Sequence, residues 1–325
     1  MSSVVSRSLH LCIVFSLSCL ATSSYAQNRE VLAEYKIGII GRDMGNPTYQ
    51  AAHAGALDAA QELSERYSID VEVLVLTPKK SEGESQSTAM AQLLVEEADG
   101  LIISPEDDPD VMESIEFAIA NEQSVVLIDT PAGLDSALVS ILPNEFEAGR
   151  QAGQAILKTL PTRGRVAILM SDRDSDSEKA RLAGIRDALG YKRIETVIQC
   201  PYDYMSATTA IQAAEEADRN HLIKGWVFLN DAPLRGAPAL PWKPGKLPCV
   251  AVQSSPTALI YLDQGYLSAF VVHPYYDWGR SALEVMIHKL HQDRLPETKQ
   301  MGSGVEVIDS LNSTEYRMRW KQWLQ

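Results

Sequence analysis

Short apolar runs alternate with amphipathic runs of helix length along most of the chain. The first half reads "YKIGII", then a helical pattern over residues 46–66, "VEVLVL", a second over 85–98, "GLIIS", a third over 109–121, and "SVVLID". The second half repeats the rhythm with "RVAILM", "IETVIQ", "GWVFLN", "CVAVQS" and "LSAFVV", separated by helical stretches near 178–189, 205–218, 231–240 and 256–264. Strand patterns separated by helix patterns specify parallel sheets covered by helices on both faces. "LIIS" and "VVLID" are continuously apolar, as strands buried on both faces should be. The expected fold class is therefore α/β, with two doubly wound units in tandem.

The end of the chain exceeds what the second unit needs. A long helix over 278–292 carries Leu283, Met286, Ile287 and Leu290 on one face; the Gly-rich link "MGSG", the strand "VEVID" and the amphipathic helix "STEYRMRWKQWLQ" follow it. This surplus implies that the chain passes between its units more than once.

Composition narrows the class. At 325 residues and 45% hydrophobic, the chain can bury two ordinary cores. Its net charge of −14 argues against nucleic acid or an anionic membrane as partner. Residues 1–26 have a basic start at Arg7, an uncharged apolar run over 11–21 and the small-residue end Ser24-Tyr25-Ala26, which together read as a secretory signal cleaved before Gln27. Ser16-Leu17-Ser18 before Cys19 puts leucine one place away from where a lipidation box needs it. No later segment reaches the roughly eighteen consecutive apolar residues of a membrane span, so the mature chain is expected not to be membrane-embedded. Of the four cysteines, Cys200 and Cys249 lie beyond the signal, at the end of one strand pattern and the start of another, and are expected to be buried free thiols.

The candidate chemistry gathers where ligands of open α/β sheets gather, at the carboxyl ends of the strands. The first such loop, "GRDMGNPTY", fails as a dinucleotide fingerprint. Its glycines, Gly38, Gly41 and Gly45, lack the G-x-G-x-x-G spacing, and no P-loop lysine follows. Asn46-Pro47 is a sound helix start, so Asn46 is at least a cap. No nucleophile paired with a base and no cofactor loop is visible, which argues against an enzyme. His53, His288 and His291 lie on helix patterns and read as solvated; no carboxylate or cysteine cluster completes a metal site around the last two.

In order, "MGNPTY", "ADGLIISP", "VVLIDT", "ARLAGI", "VFLND" and "GYLSAFVVHPYYDWGRSALEVM" make residues 35–308 resemble the periplasmic sugar-binding proteins of type I, the ribose-binding-protein-like class. That resemblance implies two Rossmann-like lobes joined by three crossings and closing on a small polar ligand. It implies a first lobe of residues 34–143 plus 274–303, a second of 144–273 plus 304–325, and hinges near Pro143-Asn144, His273-Pro274 and 302–304. It also implies ligand contacts at Arg42, Asn46, Thr48, Tyr49, Asp129, Arg181, Asn230, Gln253 and His273, with Tyr49 stacking on a sugar face. Tyr202 or Tyr204 falls at a second stacking position. Several contacts have plainer readings: Arg181 as a surface partner of Glu178, His273 bonded to a carbonyl, and Asp231 as a helix cap.

Arg42 and Gln253 depart from the usual small polar residue and aspartate, and the pocket they imply suits an anionic or strongly accepting ligand at least as well as a plain pentose. The implied function is an exported receptor serving the permease of an ABC importer in the periplasm. The alternative partner is a sensor histidine kinase, which the proline-interrupted "NDAPLRGAPALPWKPGK" favours. A signal segment in place of a DNA-binding head argues against a repressor of the same fold. No cofactor is expected.

Overall fold

The computed structural model describes residues 31–238, 240–252 and 256–324. The signal reading of 1–26 and the contact expected at Gln253 lie outside the described residues.

The first half folds as β1 (Glu34–Ile40), α1 (Pro47–Tyr67), β2 (Asp70–Val75), α2 (Gln86–Val95), β3 (Gly100–Ile103), α3 (Pro109–Ala120), β4 (Ser124–Ile128) and β5 (Val139–Pro143). Then come α4 (Glu145–Leu157), β6 (Arg165–Ser171), α5 (Asp176–Leu189), β7 (Ile194–Cys200), α6 (Tyr204–Ala217), β8 (Ile223–Phe228), β9 (Cys249–Val252), α7 (Ala258–Asp263) and β10 (Ala269–Val272). The chain closes with α8 (Tyr275–Gln292), β11 (Gln300–Ser303), β12 (Glu306–Ile308) and α9 (Ser313–Trp323). Side-chain caps start several helices: Asn46, Ser85, Asp108, Asn144, Ser175 and Asp203 each accept from a backbone N–H of the first turn.

Two six-stranded sheets result, ordered β11-β5-β4-β3-β1-β2 and β12-β10-β9-β8-β6-β7. Among the described residues every pairing is parallel except that of β12 with β10. The chain passes from one sheet to the other between β5 and β6, between β10 and β11, and between β11 and β12. This is the arrangement of two units joined by three crossings that the resemblance implies. The central strands β3, β8 and β9 are buried almost throughout, which accounts for their unbroken apolar runs.

Several features depart from the sequence reading. The helix expected over 231–240 is only a single 3₁₀ turn, Ala232–Leu234. Pro233 and Pro238 each remove a helical donor there. The Gly-rich link "MGSG" is largely strand, because its backbone pairs with β5 from Gln300↔Ser140 to Ser303↔Pro143. The helix α4 was not anticipated: Gly149 and Gly153 interrupt its helix-forming pattern, and their reason is tertiary. His53 is buried rather than solvated, with Nε2 2.8 Å from Thr77 Oγ1, and burial lowers its pKa to about 4. His288 and His291 each lie beside a tyrosine, Tyr67 and Tyr35, at 3.3 and 3.2 Å. Cys200 and Cys249 are free and buried on strands three places apart in the second sheet, with β8 and β6 between them, and burial raises both thiol pKa values.

Candidate functional site

The carboxyl ends of β1, β3 and β4 build the first wall of a cleft. Gln86 ties two of these loops together by donating from its amide to Gly41 O and Ser104 O, at 2.9 and 2.8 Å. Arg42 Nη2 donates to Pro105 O at 2.9 Å and to Thr130 Oγ1. Its Nε is buried without a hydrogen-bond partner. Asp129 has φ 67°, left-handed for a residue other than glycine, and Thr130 N donates across it to Ile128 O at 2.7 Å. A turn this tight is a strained one, and strain of this kind collects at binding and catalytic sites. The Asp129 carboxylate is held by neutral donors, Tyr49 Oη at 3.0 Å and Ser104 Oγ at 3.3 Å. Tyr49 is only 4% exposed. Burial, together with the Asp129 charge, raises its phenol pKa, so the hydroxyl stays a donor.

The second wall is built around Arg181, which is 2% exposed. Its Nε and Nη2 donate to the two oxygens of Glu145 at 2.6 and 2.5 Å, and its Nη1 donates to Leu229 O at 2.7 Å. His273 Nε2 lies 3.1 Å from Glu145 Oε2. Burial pushes the Glu145 carboxyl up, but the His273 hydrogen bond and the Arg181 charge outweigh it and hold the pKa at about 2. An ionised carboxylate only accepts, so His273 Nε2 carries the proton in this contact.

Glycines on both α4 and α5 explain the pairing. A Cβ on Gly149 would run into Arg181 O, and one on Gly184 into Phe146 O, so α4 and α5 cross backbone against backbone. That approach sets Glu145, at the head of α4, against the Arg181 fork.

A second network lies beside the first. Glu178, 5% exposed, accepts from Ser171 N at 2.6 Å and from Asn230 Nδ2 at 2.9 Å, while Asn230 Oδ1 accepts from Ala232 N at 3.0 Å. Tyr202 Oη donates to Asp231 Oδ1 at 2.7 Å and accepts from Arg235 Nη2 at 2.6 Å. The Arg235 guanidinium lies 4.4 Å from the Tyr202 ring centre and that of Arg173 5.3 Å. Asp231 therefore holds Tyr202 and Arg235 and makes no side-chain cap.

Between the walls lies a cleft of about 300 Å³. Of the residues singled out in the sequence, Arg42, Asp129, Arg181, Tyr202 and Asn230 line it, and Thr130 lies beside them. The others stand elsewhere. Asn46 is exposed and accepts from Thr48 N at 3.0 Å, so it caps α1 and takes Thr48 with it. Tyr49 stands behind Asp129 and is too buried to stack on a ligand; it positions the carboxylate instead. Tyr204 donates to Ala237 O at 2.5 Å, so of the two tyrosines it is Tyr202 that faces the cleft. His273 backs Glu145 rather than a carbonyl.

Arg181 does not pair with Glu178 on its own helix, because Glu145 fills its fork. Glu145, Arg173 and Glu178, which also line the cleft, were missed. The signal for Glu145 was an acidic residue directly after the expected hinge Pro143-Asn144.

The family model described as periplasmic binding protein domain matches residues 37–293, and the chain belongs to that family. A search of curated proteins by sequence gives no match. Among solved structures, a periplasmic ribose ABC transporter from Conexibacter woesei is similar at TM-score 0.75 and 19% identity, covering 91% of this chain and 99% of its own. An arabinose binding protein from Geobacillus stearothermophilus is similar at TM-score 0.70 and 19% identity, covering 87% and 99%. A Caulobacter myo-inositol binding protein gives TM-score 0.64 and 22% identity, with 86% and 95% covered. At these identities the likeness is one of fold.

Proposed function

We propose that the protein is an exported receptor that closes two lobes around a small sugar or sugar-like ligand in the periplasm and delivers it to the permease of an ABC importer. The observation that carries this reading is the cleft itself, which draws polar walls from the strand ends of both sheets. Sugar-binding neighbours of the same fold support the ligand class. The lobes are residues 34–143 plus 274–303 and residues 144–273 plus 304–325, a division supported by the three crossings and by the packing of α8 on α1. Asp129 and Arg42 contact the ligand from one side, and Tyr202, Asn230 and the Arg181–Glu145 pair from the other. The protein is not an enzyme, a reading supported by its family of binding proteins and by its sugar-binding structural neighbours.

One observation favours a second reading, in which the closed receptor signals to a sensor histidine kinase. Between β8 and β9 the second lobe has a single 3₁₀ turn and a proline-rich loop where a regular surface helix was expected, so a surface of that lobe is reshaped.

A thermal-shift screen of the purified chain against pentoses, hexoses, polyols and sugar acids tests the receptor reading, since a ligand at a hundred times its dissociation constant stabilises by about 2.7 kcal/mol. A binder should also reduce the radius of gyration in solution scattering as the lobes close. A flat response to every compound sinks the receptor reading. Reconstituted importer or kinase, stimulated only by the closed form, separates the two outputs.

A further inference from the structure

Resting on the receptor reading, we infer that the ligand is a hydroxylated acid, a sugar-sized molecule bearing one carboxylate or phosphate, whose anionic group is held between Arg42 and Arg173. The charge pattern of the cleft points there. Of its three guanidiniums, Arg181 is neutralised by Glu145 through two hydrogen bonds. Arg42 and Arg173 form no ion pair among the described residues. Arg42 bonds only neutral oxygens, with Nε unpartnered, and Arg173 rests against the Tyr202 ring. They come from opposite sheets, one after β1 and the other after β6, so closure of the cleft brings two uncompensated cations toward one volume.

The aromatic surfaces argue the same way. Neutral sugars are commonly gripped by an aromatic face against their C–H groups. Here Tyr49 is buried behind Asp129, and the ring of Tyr202 has Arg235 and Arg173 over it. The face on offer is a guanidinium plane, whose fork fits a carboxylate or phosphate.

The remaining carboxylates complete the complement. Among the described residues, Asp129 and Glu178 are held by hydroxyl, amide and backbone donors and neither is paired with a cation. Each can accept a ligand hydroxyl without a change of charge. An acid group for the arginines and hydroxyls for the carboxylates are the two halves of a sugar acid or sugar phosphate.

The test is calorimetric titration of the purified chain with two matched pairs, D-galacturonate against D-galactose and D-ribose 5-phosphate against D-ribose. At least one acid is expected to bind about tenfold or more tightly than its neutral parent, a preference that falls with added salt. Which pair shows it separates carboxylate from phosphate. Arg42→Gln and Arg173→Gln should each remove most of that preference, with melting temperature read alongside to show that both variants are folded. Neutral sugars binding as tightly as their acids, or a preference that survives both substitutions, overturns the inference and leaves the receptor reading standing. Binding by neither pair overturns the inference, and a flat response in the wider screen then removes the receptor reading as well.

Discussion

The two walls of the cleft use the same residue types to different ends. On the second wall Glu145 is shared by Arg181 and His273, and Glu178 by Ser171 and Asn230, so most of the buried polar atoms serve each other, His273 Nδ1 being left without a partner. On the first wall Asp129 sits in a strained turn with neutral donors only, and Arg42 keeps an unpartnered nitrogen. A buried ion pair costs desolvation, and its partners become a liability if separated. An unpaired charge at a cleft keeps its capacity for a ligand. The second wall is therefore expected to matter most for stability, and the first most for recognition.

The sharpest way to break this contrast is Glu145→Gln. It leaves the Arg181 guanidinium buried with its main anion gone, which should cost about 3–5 kcal/mol of stability. Urea denaturation of the variant checks this. A loss below about 1 kcal/mol, the range of an exposed pair, would show that the second wall is not the structural one.

Acid separates the two sheets by pH window. His53, on α1 of the first, has its pKa lowered by burial to about 4 from an ordinary 6.5, so the unfolded chain takes up the proton first. Its contribution is whole above pH 6.5 and lost as pH falls toward 4, on the order of 3 kcal/mol in all. Glu145 is also depressed, to about 2 from 4.5, so the stability it confers is present above pH 4.5 and lost between there and 2. Stability measured against pH should thus fall in two stages. His53→Gln should flatten the upper stage and Glu145→Gln the lower. A single stage, or stages exchanged between the variants, contradicts the assignment.

The elements of both walls differed in how plainly the sequence announced them. Apolar runs such as "GLIIS" and "SVVLID" are buried on two faces and identify themselves by composition. β11 does not: "QMGS" has no strand composition and is a strand only because β5 offers an edge. Asp129 and Asn230 were legible as residues at strand ends, and Arg181 only through the family resemblance carried by "ARLAGI". Glu145 was not, because its importance comes from a helix crossing that only the tertiary contact between Gly149 and Arg181 reveals. Tyr49 was legible as a residue but not as a role. Its periodic position marks equally a ring facing ligand and a ring packed under Gly41, and the structure has the second.

Asp129→Asn tests the first wall directly. The substitution keeps the shape and one acceptor but removes the charge that strengthens a hydroxyl's hydrogen bond, so affinity for whichever sugar or sugar acid binds should fall by about 1.5–3 kcal/mol. Thermal stability should change little, since no cation is paired with Asp129 among the described residues. A variant that lost stability as heavily as Glu145→Gln would erase the distinction between the walls.

The smallest effect is expected at Tyr49→Phe. The ring is buried against Gly41, so its packing is kept, and only the hydroxyl that donates to Asp129 Oδ2 and neighbours Ser104 Oγ is lost. Ser104 still donates to the carboxylate, so no buried charge is stranded, and stability should fall by about 0.5–1.5 kcal/mol. Affinity should weaken severalfold as the carboxylate loses one of the two donors that aim it. A ring that stacked on the ligand would behave the other way, with Tyr49→Phe nearly silent in affinity and Tyr49→Leu severe. Titrating both variants with the same ligand therefore distinguishes a positioning hydroxyl from a binding face.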